Sequence, residues 1–271
     1  MSRKLKILVL FIVVVAVGWG IGKYTTPSPS ASENNGTNIN VQDNLQGKPD
    51  TEPESSAVPE GTPSDSGSPG SSDDKDFTEP DSIAVMVNKE YGLPDNYKPS
   101  DLVYPDVRFT FTEKIEKRMM RKEAAEALEE MFAGAEEDGI YLAGVSAYRS
   151  QSTQTALFNR YVERDGEEKA KTYSAVPGYS EHQTGLSIDV SGSDGKCAAE
   201  SCFGGTKEAD WLAEHAAEYG FIIRYPEGKQ DITGYKYEPW HLRYVGKDIA
   251  AYISEKDITL EEYYEAVPVS K

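Results

Sequence analysis

In Pro177-Gly178-Tyr179-Ser180-Glu181-His182-Gln183-Thr184-Gly185-Leu186-Ser187-Ile188-Asp189-Val190, a loop without apolar periodicity runs into a short alternating strand. Leu186, Ile188 and Val190 alternate with Ser187 and Asp189. An acid inside such a strand is costly to bury unless it is paired or bound to a metal. His182 precedes Asp189 by seven residues, and His241 follows Glu238-Pro239-Trp240 in a second strand-like run, Tyr237–Val245. Two imidazoles and one carboxylate leave one tetrahedral position open, as a catalytic zinc requires. Glu238 would then stand near the metal, placed to take a proton from its water. Spacing alone also suits ordinary paired core groups. In a regular strand, residues three apart point to opposite faces. Convergence of Glu238 and His241 therefore calls for a bulge, which Pro239 favours because it cannot donate a ladder hydrogen bond.

Working outward, the folded part begins near Asp81. Apolar spacing predicts a helix over Thr112–Asp138, with Thr112 as N-cap and Gly139 as stop. A strand follows over Ile140–Tyr148, then a helix over Gln151–Glu163. Thr206–Tyr219 reads as a capped helix closed by Gly220, Phe221–Arg224 as a strand, and Lys247–Ser254 and Leu260–Tyr264 as helices. Helices and strands mix without a βαβ rhythm, which predicts a single small α+β domain rather than a doubly wound sheet.

The whole chain has 271 residues and a net charge of −18. Such acidity argues against nucleic acid or anionic lipid as a partner, since both select clustered Lys and Arg. Residues 1–23 carry Arg3, Lys4, Lys6 and Lys23 and no acid, whereas residues 24–80 are strongly acidic. Ile7–Gly22 is uncharged; as a helix it would reach roughly 24 Å, somewhat short of a ~30 Å hydrocarbon core. Residues 1–24 are therefore expected to be an uncleaved membrane anchor or a cleaved export signal, with the basic cluster inside and the rest outside. Residues 25–80 hold eight of the fifteen prolines and few aliphatic residues. They read as a disordered acidic linker of roughly 40 Å reach. Residues 81–271 form the remaining domain.

Ser180-x-His182-x-x-Gly185-x-x-x-Asp189 and Glu238-Pro239-Trp240-His241-x-Arg243-Tyr244-Val245-Gly246 resemble the zinc carboxypeptidases of the VanY type. These are D-alanyl-D-alanine carboxypeptidases and their L,D-carboxypeptidase relatives. Ser146-Ala147-Tyr148-Arg149-Ser150-x-x-x-Gln154, Leu93-Pro94-x-x-Tyr97-x-Pro99-x-Asp101-Leu102 and Phe221-Ile222-x-Arg224-Tyr225-Pro226 extend the resemblance, in order, over roughly residues 83–255. It implies an antiparallel sheet bearing one Zn²⁺, flanked by helices, as in hedgehog-like and lysostaphin-type proteins. It implies His182, Asp189 and His241 as zinc ligands and Glu238 as catalytic base. It implies Arg149 at a substrate carboxylate or the oxyanion, with Gln154, Ser180, Tyr148 and Trp240 holding the peptide.

The expected activity is removal of the terminal D-alanine from peptidoglycan stem peptides, at the D-Ala–D-Ala bond. The alternatives are L,D-cleavage of tetrapeptides and a non-catalytic, zinc-containing wall-binding module. The expected setting is the extracytoplasmic face of a bacterial membrane, or secretion if the signal is cut, as a monomer. His215, four residues from Trp211, reads as structural, and Arg224 and Arg243 as ion-pair partners. Cys197 and Cys202, the only cysteines, are candidates for a disulfide in an oxidising compartment.

Overall fold

Four strands in the order β3-β4-β6-β5 form the antiparallel sheet at the centre of the fold. They are β3 (Leu142–Ser146), β4 (Ser187–Gly192), β5 (Phe221–Ile223) and β6 (His241–Tyr244). A two-stranded sheet pairs β1 (Leu102–Val103) with β2 (Met120–Arg121). The computed structural model describes residues 77–265. The anchor or signal of residues 1–24 and the linker as far as residue 76 lie outside the described residues. Residues 77–80, assigned to that linker from sequence, are packed. Phe77 stacks on Tyr264 at 5.0 Å and meets Tyr91 edge-on, and the Pro80 carbonyl accepts from the Tyr97 hydroxyl at 2.7 Å.

The central sheet is buried on both faces, and its alternation separates two kinds of interior. Ile188 and Val190 of β4 and Leu242 and Tyr244 of β6 join the main apolar core. Ser187, Asp189 and Ser191, with His241 and Arg243, are also buried yet polar. The register sets Asp189 opposite His241 across β4 and β6. A register shift between Gly144 and Ser146 pairs Ser146 with Asp189 on the other side.

Helix α1 (Lys122–Glu137) buries Ala124, Ala125, Ala127, Leu128, Met131 and Ala135, in line with the apolar spacing. It starts ten residues later than the sequence suggests. Residues 116–118 form a single 3₁₀ turn instead, and β2 follows. Here tertiary hydrogen bonds override local propensity. The Lys117 and Met119 carbonyls accept from the Ala147 and Tyr148 N–H groups at 2.8 and 2.9 Å, and the Arg121 N–H donates to the Gly185 carbonyl at 2.8 Å. A helix through this segment would break all three, and would also move Met120 from its fully buried place.

Four further helices lie where the sequence places them, α2 (Gln151–Asp165), α4 (Lys207–His215), α6 (Lys247–Lys256) and α7 (Leu260–Tyr263), while the single-turn helices α3 (Glu167–Ala170) and α5 (Gln230–Thr233) were not read from it. Ser150 caps α2, Thr206 caps α4, and Thr259 with Glu262 forms a capping box on α7. After α4 the chain tightens into a 3₁₀ turn, and Gly220 ends it in the left-handed region. Met86, Ile222, Val245, Ala250, Ile253 and Leu260 make a second apolar cluster. Among the described residues no helix is long and apolar enough to cross a membrane.

Gly144 is where Phe109 pairs, parallel, with the edge strand β3: a Cβ there would meet the phenyl ring at 2.6–2.8 Å. Gly144→Ala is expected to destabilise the fold by about 1–3 kcal/mol through overpacking, measured by denaturant unfolding.

Candidate metal centre and its cleft

His182, Asp189 and His241 converge: one donor atom from each lies within 4.8 Å of the others, and all three residues are buried. His182 Nε2 is 3.5 Å from Asp189 Oδ2, and His241 Nδ1 is 3.0 Å from Asp189 Oδ1. The imidazole rings stand perpendicular, 4.9 Å between centroids. Each ligand comes from a different element. His182 sits in the 3₁₀ turn Glu181–Thr184 that leads into β4, Asp189 lies within β4, and His241 opens β6.

The far side of each imidazole is also fixed. His182 Nδ1 lies 2.8 Å from the Ala147 carbonyl. A carbonyl only accepts, so Nδ1 carries the proton and Nε2 presents its lone pair to the site. His241 Nε2 lies 3.3 Å from Glu181 Oε2, leaving Nδ1 toward Asp189. This is the carboxylate–histidine arrangement that orients metal ligands. Two nitrogens and one carboxylate oxygen, buried and oriented, fit zinc.

The electrostatics point the same way. Burial alone would push the His241 pKa down, but Asp189 and Glu181 outweigh it and hold the ring up to about 9. Burial lowers the His182 pKa to about 3, despite Asp189. A cation at the three donors would compete with the proton that Asp189 and Glu181 hold on His241.

Glu181 was not among the functional residues read from the sequence. Burial favours its neutral form, but Arg224, Arg243 and His241 prevail and hold its carboxyl far below the usual range. Its Oε1 accepts from Arg224 Nε and Arg243 Nη1, both at 2.8 Å, and its Oε2 from Ser187 Oγ at 3.2 Å. Arg224 is held in turn by Glu261 at 2.6 and 2.8 Å. Arg243 donates to the Ile83 and Val85 carbonyls at 3.0 and 2.6 Å. The two arginines were legible as ion-pair partners; the acid they share was not.

A cleft of about 410 Å³ opens over the three ligands, walled by Arg149, Ser180, Glu238 and Trp240 among others. Burial pushes the Glu238 carboxyl up to about 7, against the pull of His241. No bulge brings Glu238 to this side, contrary to the sequence expectation. β6 begins only at His241, and Pro239 and Trp240 form the turn that precedes it. The Glu238 N–H donates to the Tyr225 carbonyl, and the Glu238 carbonyl accepts from the His241 N–H, at 3.0 and 3.1 Å. Tyr225 stacks on the His241 ring at 5.1 Å.

Arg149 is held by three bonds. Its N–H donates to the His182 carbonyl at 3.1 Å, Nη1 donates to Gln154 Oε1 at 2.9 Å and Nη2 to Ser146 Oγ at 3.1 Å. Gln154 is the partner that fixes one of these nitrogens. It is 1% exposed, does not line the cleft, and spends its amide on the Ala175 carbonyl and Ser174 Oγ. Its Oε1 fixes the Arg149 guanidinium. Tyr148 is 2% exposed and absent from the cleft wall. Five tyrosines (Tyr161, Tyr173, Tyr225, Tyr235 and Tyr237) do line it, scattered in sequence without a pattern that marks them. His215 lies outside the cleft, stacked on Trp211 and 2.9 Å from Glu218. Cys197 and Cys202 are disulfide-bonded, and Ala199 and Ser201 between them reach the cleft wall.

Residues 117–247 match the VanY family model, described as D-alanyl-D-alanine carboxypeptidase. The chain is 54% identical over 188 residues to the protein YodJ of Bacillus subtilis (strain 168), covering 69% of each. Among solved structures, LdcB, an LD-carboxypeptidase described for its peptidoglycan recognition, is 54% identical with a TM-score of 0.67. That match covers 69% of this chain and 88% of LdcB. A vancomycin-resistance D,D-pentapeptidase, VanY, crystallised with Zn(II), is 30% identical with a TM-score of 0.54, covering 67% of this chain and 98% of its own.

Glu181→Gln keeps the shape of the network but removes the anion behind His241. Zinc affinity, measured by competition with a chromogenic chelator, is expected to fall about 10–100-fold.

Proposed function

Because the chain belongs to the VanY family of zinc-dependent carboxypeptidases acting on peptidoglycan, we propose that it removes the terminal D-alanine of stem peptides, with the tetrapeptide as preferred substrate. The observation that carries this is one cleft holding three convergent metal donors, a half-buried carboxylate and a fixed guanidinium. Higher identity to the L,D-carboxypeptidase LdcB than to the D,D-pentapeptidase favours the tetrapeptide. The D-alanyl-D-alanine description of the family model favours pentapeptide cleavage, which is the second reading.

In this reading His182 Nε2, an Asp189 carboxylate oxygen and His241 Nδ1 hold the zinc. When bound, zinc supplies Lewis acidity, polarising the scissile carbonyl and acidifying water. The chain's own groups do the rest. A Glu238 carboxylate oxygen takes the proton of the attacking water and returns it to the nitrogen of the departing D-alanine. Arg149, already aimed by Ser146 and Gln154, offers its remaining N–H groups to the substrate carboxylate or to the oxygen that gains charge. Ser180 and Trp240 bound the peptide. A wall-binding module would need no base at this position.

The basic, apolar start of the chain supports delivery across a bacterial membrane, with residues 1–24 as anchor or cleaved signal and the acidic stretch as tether. All proposed ligands come from one chain, which supports action as a monomer.

The test is zinc-loaded full-length protein incubated with stem tetrapeptide and pentapeptide, with products read by mass spectrometry. Loss of one D-alanine from the tetrapeptide is expected; cleavage of the pentapeptide alone would favour the D,D reading. Glu238→Gln is expected to lower kcat by about 10²–10⁴-fold with zinc content unchanged. The raised Glu238 pKa also fixes a sign. The base works ionised, so kcat/KM falls as pH drops through its pKa, at or below about 7 because bound zinc favours the anion. That limb is expected to vanish from the residual activity of Glu238→Gln.

A further inference from the structure

The loop between Cys197 and Cys202 has no part in the chemistry above, yet it borders the cleft. Its ends are joined by the disulfide, with Cα atoms 5.5 Å apart. Ala199 and Ser201, between the bridged ends, are exposed and line the cleft. Cys197 and Ala199 both hold positive φ, 53° and 54°. That region is uncommon for residues with a Cβ and persists only where the surroundings enforce it.

Both ends of the loop are seated. Cys197 packs against the main core, and Phe203, just past the loop, is fully buried. Gly204 lies so close to the turn bearing Glu238 that a Cβ there would be 3.1 Å from the Tyr237 ring and 3.3 Å from Pro239. The stem of the loop is thus fixed to the core and to the Glu238 turn, while its crown stands free at the cleft.

We propose that the disulfide-closed loop Cys197–Cys202 is a specificity-determining wall of the cleft, with Ala199 and Ser201 as the residues that meet the bound peptide. The bridge is a positioning element: it holds the crown in a backbone shape that a free loop of this sequence would leave. The inference rests on the stem-peptide reading of the cleft. Its contribution is to peptide binding, so it appears in KM. The zinc ligands and Glu238 belong to other segments, so kcat and zinc affinity should be preserved.

The experiment compares wild type, the double variant Cys197→Ser/Cys202→Ser and Ala199→Trp, all as full-length zinc-loaded protein on stem tetrapeptide and pentapeptide. Opening the loop is expected to raise KM about tenfold, equivalent to 1.4 kcal/mol of binding, with kcat and zinc stoichiometry unchanged. Ala199→Trp, which keeps the bridge, should raise KM by at least as much by filling the cleft. A folded, bridge-free variant with wild-type KM overturns the proposal. Should that variant fail to fold, Ala199→Trp decides alone, and wild-type KM for it overturns the proposal. Should wild type cut neither peptide, the functional reading fails separately. Calorimetric affinity for the uncut peptides then replaces KM: weaker binding by the variants supports the wall, and wild-type affinity overturns it.

Discussion

Glu181 is the charge on which the site depends. It is buried, ionised and shared among Arg224, Arg243 and His241. A carboxylate in that position is tolerable only because two guanidiniums saturate it, and breaking such a buried pair typically costs about 3–5 kcal/mol. The same group orients the His241 ring. Stability and metal geometry are therefore coupled through one side chain. The network extends to Glu261 in α7 and to the carbonyls of Ile83 and Val85. The two ends of the described chain are thus clamped behind the metal centre, far in sequence from the ligands they support.

The central sheet makes this possible by keeping its two faces chemically distinct. Alternation along β4 and β6 sends Ile188, Val190, Leu242 and Tyr244 to the apolar core. The intervening positions carry Asp189, His241 and Arg243. A slip of one residue in the β4–β6 register would exchange the faces, placing the charges in the apolar core and the apolar residues among the buried polar groups. Register is accordingly enforced from both sides, and it places Asp189 opposite His241. The ligand pair follows directly from strand pairing, while His182 arrives from the turn before β4.

Rigid support recurs around the cleft. Arg149 is bonded through its backbone and two of its guanidinium nitrogens, and Gln154, which supports it, is itself fully engaged. Glu238 rides on a turn whose backbone is tied to Tyr225 and His241. Groups held this way need little reorganisation when charge develops during reaction, which is where electrostatic catalysis gains most. The cystine loop extends the same principle to the rim.

Much of the site was legible from sequence. An acid inside an alternating strand, a loop histidine shortly before it and a Glu three residues before a second histidine singled out Asp189, His182, Glu238 and His241, but spacing alone suited paired core groups equally, and it was the family resemblance that assigned their roles. The capped helix start at Thr206 and the stop at Gly220 were also local signals, whereas the cap read at Thr112 was not used. The structure alone decided the partners. Glu181 meets Arg224 and Arg243 across 43 and 62 residues of sequence, and no spacing rule reports such a contact. Gln154 and Tyr148 matched a pattern, but packing turned one to the support of Arg149 and buried the other. The start of α1 was fixed by carbonyls at Lys117 and Met119 that pair with the chain beyond β3. Sequence periodicity records which face each residue takes on its own element. Which buried polar group answers which is settled only when distant elements meet and each must satisfy its hydrogen bonds.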